Sequence, residues 1–440
     1  MLLRFRVANH RSIRDAVELS LASSRLDGTK PSDSDWQAAT VRVAGIYGAN
    51  ASGKSTILDA IAFACAAVEF SFTRWAEEDS IRHHPFLLDS KSRQETSFYE
   101  FDIVIDGVRY TYGFESSVQG FSKEWLYSYP ASRRRVLFER HELDAKSMEF
   151  GRHLPGENVR IARLVRPTSL FLSTAAQSNH TFLRKIHDWF ANHIVQAKYS
   201  EADREVRLRW VRDALEDSRV AAQALGLLKF ADLGIASVVL AEEDLNEELK
   251  ALLRRLFKSL AEAATARRAV NAEDFFDEYK KKLSFLHTGA DASTTFPLPL
   301  ENESSGTVAW LSLGVPALTA LGRGDVFIVD ELDASLHPRL ASALVGIFKD
   351  PELNPRGAQL VFTSHDTSLL GHVLGESLSR DEVWFTEKGS DGATTLFALN
   401  EFPARASDNF EKRYLQGRYG AVPMISREDL RAALMEDAGT

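Results

Sequence analysis

The segment Gly48–Thr56 reads GANASGKST, in which Gly48, Gly53, Lys54 and Ser55 occupy the fixed positions of the phosphate-binding pattern G-x-x-x-x-G-K-[ST]. Glycines let the backbone curl so that its N–H groups face a phosphate, and a following helix N-terminus adds positive potential. Lys54 would reach the β- and γ-phosphates of ATP, and the Ser55 hydroxyl would bind Mg²⁺. We therefore predict that the whole loop holds ATP: Gly48, Ala49, Asn50, Ala51, Ser52, Gly53, Lys54, Ser55 and Thr56.

Two acidic residues follow an apolar run much farther along the chain. Val326–Val329 is typical of a buried strand, and Asp330 and Glu331 end it. Two carboxylates at the end of a buried strand are costly unless a cation is near. We predict that Asp330 binds Mg²⁺ together with Ser55, and that Glu331 polarises the attacking water. An ordinary acidic turn is the alternative.

A second apolar run, Leu360–Phe362, delivers Thr363, Ser364 and His365 to the same sheet edge. A histidine at a strand end can donate a hydrogen bond to a γ-phosphate oxygen and so sense whether that phosphate is present. We predict His365 as a catalytic residue beside Lys54 and Glu331.

A turn of small residues, Ser304–Thr307, leads into an apolar helix between these regions. Its hydroxyls and free N–H groups would either bind a phosphate or simply cap the helix. The residues alone leave both interpretations open.

The elements that must position these residues alternate between strands and helices in both halves of the chain. Val41–Tyr47 predicts a buried strand before the glycine loop, and Ile57, Ile61, Ala64 and Cys65 share one face of the helix after it. Elsewhere we predict a strand pair in 1–25, an antiparallel meander over 98–150, helices over 165–197, mostly helices over 201–286 with a strand at 236–241, and a loop over 288–306. A helix over 307–322, a strand over 325–330, a helix over 337–349, a strand over 359–364, a helix over 366–375 and strands near 382–387 and 394–399 follow.

Composition sets the class of protein. The chain has 440 residues, 44% hydrophobic and 26% charged, with a net charge of −9 and one cysteine. This is ordinary globular composition, and a single cysteine fits a reducing cytosol. No signal peptide and no membrane-spanning run are predicted, so we expect a cytoplasmic protein without a membrane partner. The net charge gives no overall nucleic-acid signature.

The order of these motifs resembles the ABC-type ATPase head of the RecF, SMC and OLD group. The motifs are the glycine loop, ESSGT, VFIVDELDASLH and TSHD, and the resemblance covers roughly 1–125 and 300–400. It implies an α/β P-loop NTPase fold, with a split α/β core, an antiparallel β lobe and a mainly helical insertion. The corresponding domains are 1–150, the insertion 151–300, the second head segment 301–400 and a tail 401–440.

The resemblance also implies roles for single residues. Two copies of the chain would form a dimer around ATP, with Ser305 and Gly306 of one copy contacting the γ-phosphate held by the other. Asp333 would lie across the dimer interface, His365 would be the switch histidine, and Arg11 would approach the nucleotide.

The closest likeness is to compact bacterial ATPases associated with abortive infection and other anti-phage systems. It implies a nucleotide-driven switch or scaffold, and the tail Asp408–Pro423 looks like the ending common in that subgroup. Only about 75 residues follow His365, too few for the nuclease domain of full OLD proteins. We therefore expect a separate effector protein, a nuclease or a toxin.

Two points stay open at the level of sequence. No glutamine clearly marks the Q-loop of such heads, although Gln94 and Gln119 are candidates. The basic runs Arg133–Arg135, Arg254-Arg255 and Arg267-Arg268 would either meet nucleic acid or form a solvated face. The alternative function is therefore a DNA-binding ATPase of repair or chromosome maintenance.

Overall fold

The computed structural model describes residues 1–440 except 24–25, 27–29, 32–34, 78–79, 132, 145–146, 232–233, 243–280, 292, 372, 376, 404–407, 424–430 and 432–440. The chain forms two compact units. Unit 1 comprises Met1–Tyr199, Thr319–Asp333 and Ala341–Thr440, and unit 2 comprises Ser200–Leu318 and Ala334–Leu340. Unit 1 therefore combines residues from both halves of the chain.

The strands and helices are numbered in chain order. The strands are β1 (Leu2–Ala8), β2 (Val17–Ser20), β3 (Val43–Gly48), β4 (Ser97–Ile105), β5 (Val108–Ser117), β6 (Gly120–Tyr129), β7 (Arg135–Arg140), β8 (Glu149–Phe150), β9 (Ile194–Ala197), β10 (Ile235–Glu242), β11 (Lys281–Thr288), β12 (Thr295–Pro299), β13 (Val326–Val329), β14 (Gln359–Thr363), β15 (Val383–Lys388) and β16 (Thr394–Ala398). The helices are α1 (Lys54–Phe70), α2 (Asn158–Ala162), α3 (Phe171–Gln177), α4 (Thr181–Asn192), α5 (Glu201–Ala214), α6 (Ser218–Phe230), α7 (Ser305–Arg323), α8 (Pro338–Lys349) and α9 (Phe410–Leu415).

A seven-stranded antiparallel sheet forms one layer of unit 1, in the order β2-β1-β4-β5-β6-β7-β8. The predicted meander over 98–150 and the N-terminal strand pair are both present in it. Asp106 and Gly107 join β4 to β5 with φ of 50° and 75°. Two positive φ values match a tight hairpin turn, which explains why this pair of residues is found there.

A six-stranded sheet forms the second layer of unit 1, in the order β16-β15-β3-β14-β13-β9. All its pairs are parallel except β15 with β16. Every residue of β3 is buried, as expected of a central parallel strand. Because β3, β14 and β13 are neighbours, the loops after all three meet at one edge. The predicted α/β P-loop fold with an antiparallel lobe is confirmed.

Helix α1 packs between these layers. Ile57, Ile61, Ala64 and Cys65 are all buried in a core shared with residues of both sheets. Burial raises the pKa of the Cys65 thiol. The cysteine is therefore a core residue, as the helical spacing predicts.

Residues 151–199 differ from the sequence prediction. The sequence predicts that they belong to the insertion and that 165–197 is helical, but Ile194–Ala197 is strand β9. It pairs in parallel with β13, so that Gln196 lies opposite Ile328. These residues belong to unit 1 because β9 completes its parallel sheet and α4 packs on α1. The boundary with unit 2 falls after Tyr199 instead of near residue 150.

Unit 2 contains more strand than predicted. The strand expected at 236–241 is present as β10, but β11 and β12 lie where helix and loop were expected. The three strands form an antiparallel sheet in the order β10-β11-β12. Residues 243–280 of the predicted helical region 201–286 lie outside the described residues, and Arg254-Arg255 and Arg267-Arg268 lie among them.

The helix predicted over 366–375 is also wrong. Among its described residues this segment forms a single 3₁₀ turn, at Thr367–Leu370, and the side chain of Asp366 caps it by accepting a hydrogen bond from the Ser368 N–H. The chain leaves this turn because Gly371 is extended and Gly375 has a φ of 87°.

Among the described helices, Ser305–Arg323 is long and apolar enough to cross a membrane by length and composition alone. However, 72% of this apolar stretch is buried inside the protein. Core helices of globular proteins share this character.

Candidate nucleotide-binding site

The glycine loop lies between β3 and α1. Gly53 has a φ of 105°, and a Cβ atom built on it would lie 2.2 Å from the Thr394 Oγ1. Only glycine fits this position. The buried Lys54 side chain turns back over the loop, so that its Nζ donates to the carbonyl oxygens of Gly48 at 2.9 Å and Ala49 at 3.2 Å. Burial lowers the pKa of Lys54, and the nearby carboxylates, led by that of Glu331, oppose this effect.

Asp330 lies next to the start of α1, although 275 residues separate it from Ser55. The Ser55 hydroxyl donates to Asp330 Oδ1 at 2.9 Å, and the Thr363 hydroxyl donates to the same oxygen at 2.7 Å. Thr363 Oγ1 also accepts the Glu331 N–H at 2.7 Å. One buried hydroxyl on β14 thus holds both acidic residues at the end of β13. Hydroxyl and carboxylate oxygens are ligands that Mg²⁺ prefers, so this donor set fits the ion.

Glu331 and His365 line the same cleft as the loop. Its volume is about 840 Å³, and its walls are Arg11, Ser12, Asn50–Thr56, Glu331, His365 and Lys388. The Glu331 carboxylate forms no hydrogen bond with the described residues, and its backbone has a φ of 55°. The His365 Nδ1 lies 3.5 Å from Lys54 Nζ. Because an ammonium group only donates, Nδ1 is the acceptor in this contact.

Asp333 lies beside His365 in the same chain. Its Oδ1 accepts the His365 N–H at 3.1 Å. The loop after β13 and the loop after β14 are therefore joined at the edge of the sheet.

Arg11 projects into the cleft from the turn between β1 and β2. It has a φ of 50°, and its Nε donates to Asp59 Oδ2 at 2.5 Å. His10 Nε2 lies 3.0 Å from the same oxygen. Partial burial opposes ionisation of Asp59, but the hydrogen bond with His10 and the charge of Arg11 lower its pKa to about 2.

Gln196 is a candidate that the sequence reasoning missed. It lines a cavity of about 200 Å³ together with Ser55, Asp330 and Arg11. Gln94 and Gln119, the glutamines considered from the sequence, are exposed and line neither cavity. The sequence does contain a signal for Gln196, because it follows the short β-branched run Ile194-Val195. The prediction of a helix over 165–197 obscured this strand and therefore its glutamine.

Both strands of the hairpin β15–β16 were predicted, but its contact with the glycine loop is the second feature that the sequence did not reveal. Thr394 Oγ1 lies 2.9 Å from the Ser52 carbonyl oxygen and 2.9 Å from Ser12 Oγ. Thr386 Oγ1 lies 2.7 Å from Ser52 Oγ. Two threonines more than 330 residues away along the chain thus form hydrogen bonds with Ser52 of the glycine loop.

Ser305 and Gly306 belong to unit 2, at the start of α7. The helix-capping interpretation applies to Ser304, whose Oγ accepts the Thr307 N–H at 3.0 Å. The exposed Ser305 side chain forms no hydrogen bond with the described residues. A Cβ on Gly306 would make only ordinary contacts, at 3.4 Å from Ser335 O and 3.7 Å from Ser304 Oγ. Packing within unit 2 does not require glycine at this position.

The aromatic residues of the tail pack on the parallel sheet of unit 1, whereas Lys412 and Arg418 are exposed. Tyr414 and Tyr419 are buried and stack on Phe385 with ring centroids 5.2 and 5.6 Å apart. By contrast, Arg133–Arg135 is exposed, and the Arg134 guanidinium lies 4.6 Å from the Tyr127 ring centroid.

Several solved structures are similar to this chain. The SMC head domain from Thermotoga maritima has a TM-score of 0.40 and 13% identity, covering 90% of this chain and 98% of that one. An SMC head bound to the C-terminal winged-helix domain of ScpA has a TM-score of 0.41 and 12% identity, covering 90% and 97%. A Pyrococcus furiosus SMC head with an extended coiled coil has a TM-score of 0.33 and 14% identity, covering 90% and 96%. No curated protein matches the chain.

A family model described as "AAA domain, putative AbiEii toxin, Type IV TA system" matches residues 43–371. The match extends over more than half of the 440 residues and spans the glycine loop, Asp330, Glu331 and His365. The chain therefore belongs to this family of AAA-domain proteins.

Proposed function

We propose that this protein binds and hydrolyses ATP and that two copies close around the nucleotide. The observation that carries the proposal is the hydrogen bond between Ser55 and Asp330, with Lys54 and Glu331 lining the adjacent cleft. It joins a phosphate-binding loop to a metal-binding carboxylate, and phosphoryl transfer needs both.

Each group has a separate task in this reaction. The loop N–H groups and Lys54 hold the phosphates, while Ser55 and Asp330 would hold Mg²⁺, which neutralises charge that develops on the phosphate oxygens. Glu331, whose carboxylate has no competing hydrogen bond with described residues, orients and polarises the attacking water. The His365 side chain donates to the γ-phosphate through Nε2, because its Nδ1 faces Lys54.

The second copy supplies Ser305 and Gly306. The Ser305 hydroxyl forms no hydrogen bond with the described residues, and a glycine at position 306 is not required by packing within its own unit. Both facts fit a surface that another molecule approaches closely. Asp333, whose carboxylate accepts the His365 N–H, would lie at the interface between the copies. ATP would then close the dimer and hydrolysis would reopen it.

The biological role follows from this switch. We propose a cytoplasmic ATPase of anti-phage defence that controls a separate nuclease or toxin. Support comes from the family description, which names a putative toxin of a type IV toxin–antitoxin system.

The direct test is ATP turnover by the wild type and by Glu331→Gln. We expect steady phosphate release from the wild type, and from the variant none, with ATP retained. A wild type that retains ATP but releases phosphate no faster than Glu331→Gln would show binding without hydrolysis. Tight, salt-dependent DNA binding that is lost when Arg133–Arg135 is replaced by alanine would instead support the repair function.

A further inference from the structure

The hairpin β15–β16 contributes Lys388 to the lining of the nucleotide cleft. Strand β15 runs parallel to β3, and Thr386 is paired with Gly48, the last residue of β3. Lys388 lies two residues farther on, where β3 has already given way to the glycine loop. Lys388 accordingly lines the cleft together with Asn50–Thr56.

The hairpin is fixed to the glycine loop, so the backbone position of Lys388 is determined by contacts of its neighbours with that loop. Lys388 is paired across the hairpin with Thr394, whose hydroxyl lies 2.9 Å from the Ser52 carbonyl oxygen. A Cβ on Gly48 would lie 2.5 Å from the Thr386 carbonyl oxygen. The hairpin and the glycine loop are thus in close contact at Thr386 and at Thr394.

The charges of the cleft favour an anion. The cations that line it are Arg11, Lys54 and Lys388, and the carboxylate that lines it is Glu331. Arg11 is paired with Asp59, and Lys54 donates to loop carbonyls. Within the described part of the chain, the Lys388 ammonium has no carboxylate partner. An exposed lysine without a role in folding is the simpler explanation, but it does not account for the placement at the loop.

We propose that Lys388 is a second cationic ligand of the nucleotide phosphates, supplied by the C-terminal half of the chain. This proposal rests on the proposed ATP binding. A lysine can act here as a point charge, because its ammonium group needs no fixed geometry to meet a phosphate oxygen.

The test compares the affinity for a fluorescent ATP analogue with Mg²⁺ in the wild type, Lys388→Met, Lys388→Arg and Lys54→Ala. Methionine keeps the apolar stem and removes the charge. Lys123→Ala is the matched control, since Lys123 is an exposed strand lysine that does not line the cleft. Thermal melting of each variant reports on folding.

We expect Lys388→Met to raise the Kd about fivefold at low salt, the effect of a single screened charge contact. The difference should narrow at high salt, and Lys388→Arg and Lys123→Ala should bind like the wild type. Lys388→Met binding as tightly as the wild type, while Lys54→Ala does not bind, would overturn this inference alone. A wild type that binds no ATP would overturn the proposed function, and this inference with it.

Discussion

Thr394 connects the hairpin β15–β16 to the glycine loop, and its replacement tests whether that connection matters for nucleotide binding. Its Oγ1 lies 2.9 Å from the carbonyl oxygen of the buried residue Ser52. Thr394 is buried as well, with 2% of its surface exposed. Thr394→Val removes the hydroxyl and keeps nearly the same volume.

The size of the effect on ATP binding follows from the Ser52 carbonyl oxygen, which Thr394→Val leaves without its hydrogen-bond donor. A buried acceptor that loses its hydrogen bond costs about 1–3 kcal/mol. If that cost falls on the loop conformation that binds phosphate, the Kd for ATP rises about five- to 150-fold, since about 1.4 kcal/mol is tenfold. We expect a rise of about tenfold.

The assay is binding of a fluorescent ATP analogue, with thermal melting measured alongside. Thr394→Ser keeps the hydroxyl and should restore most of the affinity. Thr395→Val changes the exposed neighbour and should have no effect. The reasoning is refuted if Thr394→Val binds ATP within about twofold of the wild type, because one lost hydrogen bond exceeds that.

Two further changes probe the walls of the site. The pKa of Asp59 is lowered from 3.8 to about 2, so its ionised form stabilises the fold fully above pH 3.8, and this contribution is lost as the pH falls toward 2. Asp59→Asn should therefore lower the free energy of unfolding by about 1–2 kcal/mol at pH 7, a value reduced for partial solvent exposure. Urea unfolding should show the difference in stability between wild type and variant shrink below pH 4. A difference that stays constant with pH would contradict this prediction. Gln196→Ala should lower kcat about tenfold with little change in Kd, because Gln196 borders the Ser55–Asp330 pair but does not line the cleft that contains Lys54. Phosphate-release kinetics check this, and an unchanged kcat would exclude a role in catalysis.

Sequence reasoning predicted the parts of the site whose chemistry lies in short motifs. The glycine loop, Asp330-Glu331 and His365 each follow a continuous apolar strand, and such strands are visible in the residues. The antiparallel meander over 98–150 was likewise predicted, and the Asp106-Gly107 turn within it has the residues that a tight hairpin demands. These features depend on neighbours in sequence.

The remainder depends on contacts between distant residues. Thr386 and Thr394 reach the loop from more than 330 residues away, and nothing in TEK or TTLFAL indicates it. Strand β9 contains only four residues, too few for a period to distinguish strand from helix. The helix expected over 366–375 fails because Gly371 and Gly375 favour an extended and a left-handed backbone over a continued helix.

The claim that two copies share each nucleotide is tested most directly by mixing two inactive variants. Lys54→Ala removes the phosphate-binding lysine, and Ser305→Arg blocks the surface offered to the other copy. Each variant alone should hydrolyse no ATP. In an equal mixture, the mixed dimer has one intact site, so activity should return to at most about a quarter of the wild-type rate. A mixture as inactive as its components, or a fully active Ser305→Arg variant, would contradict the shared site.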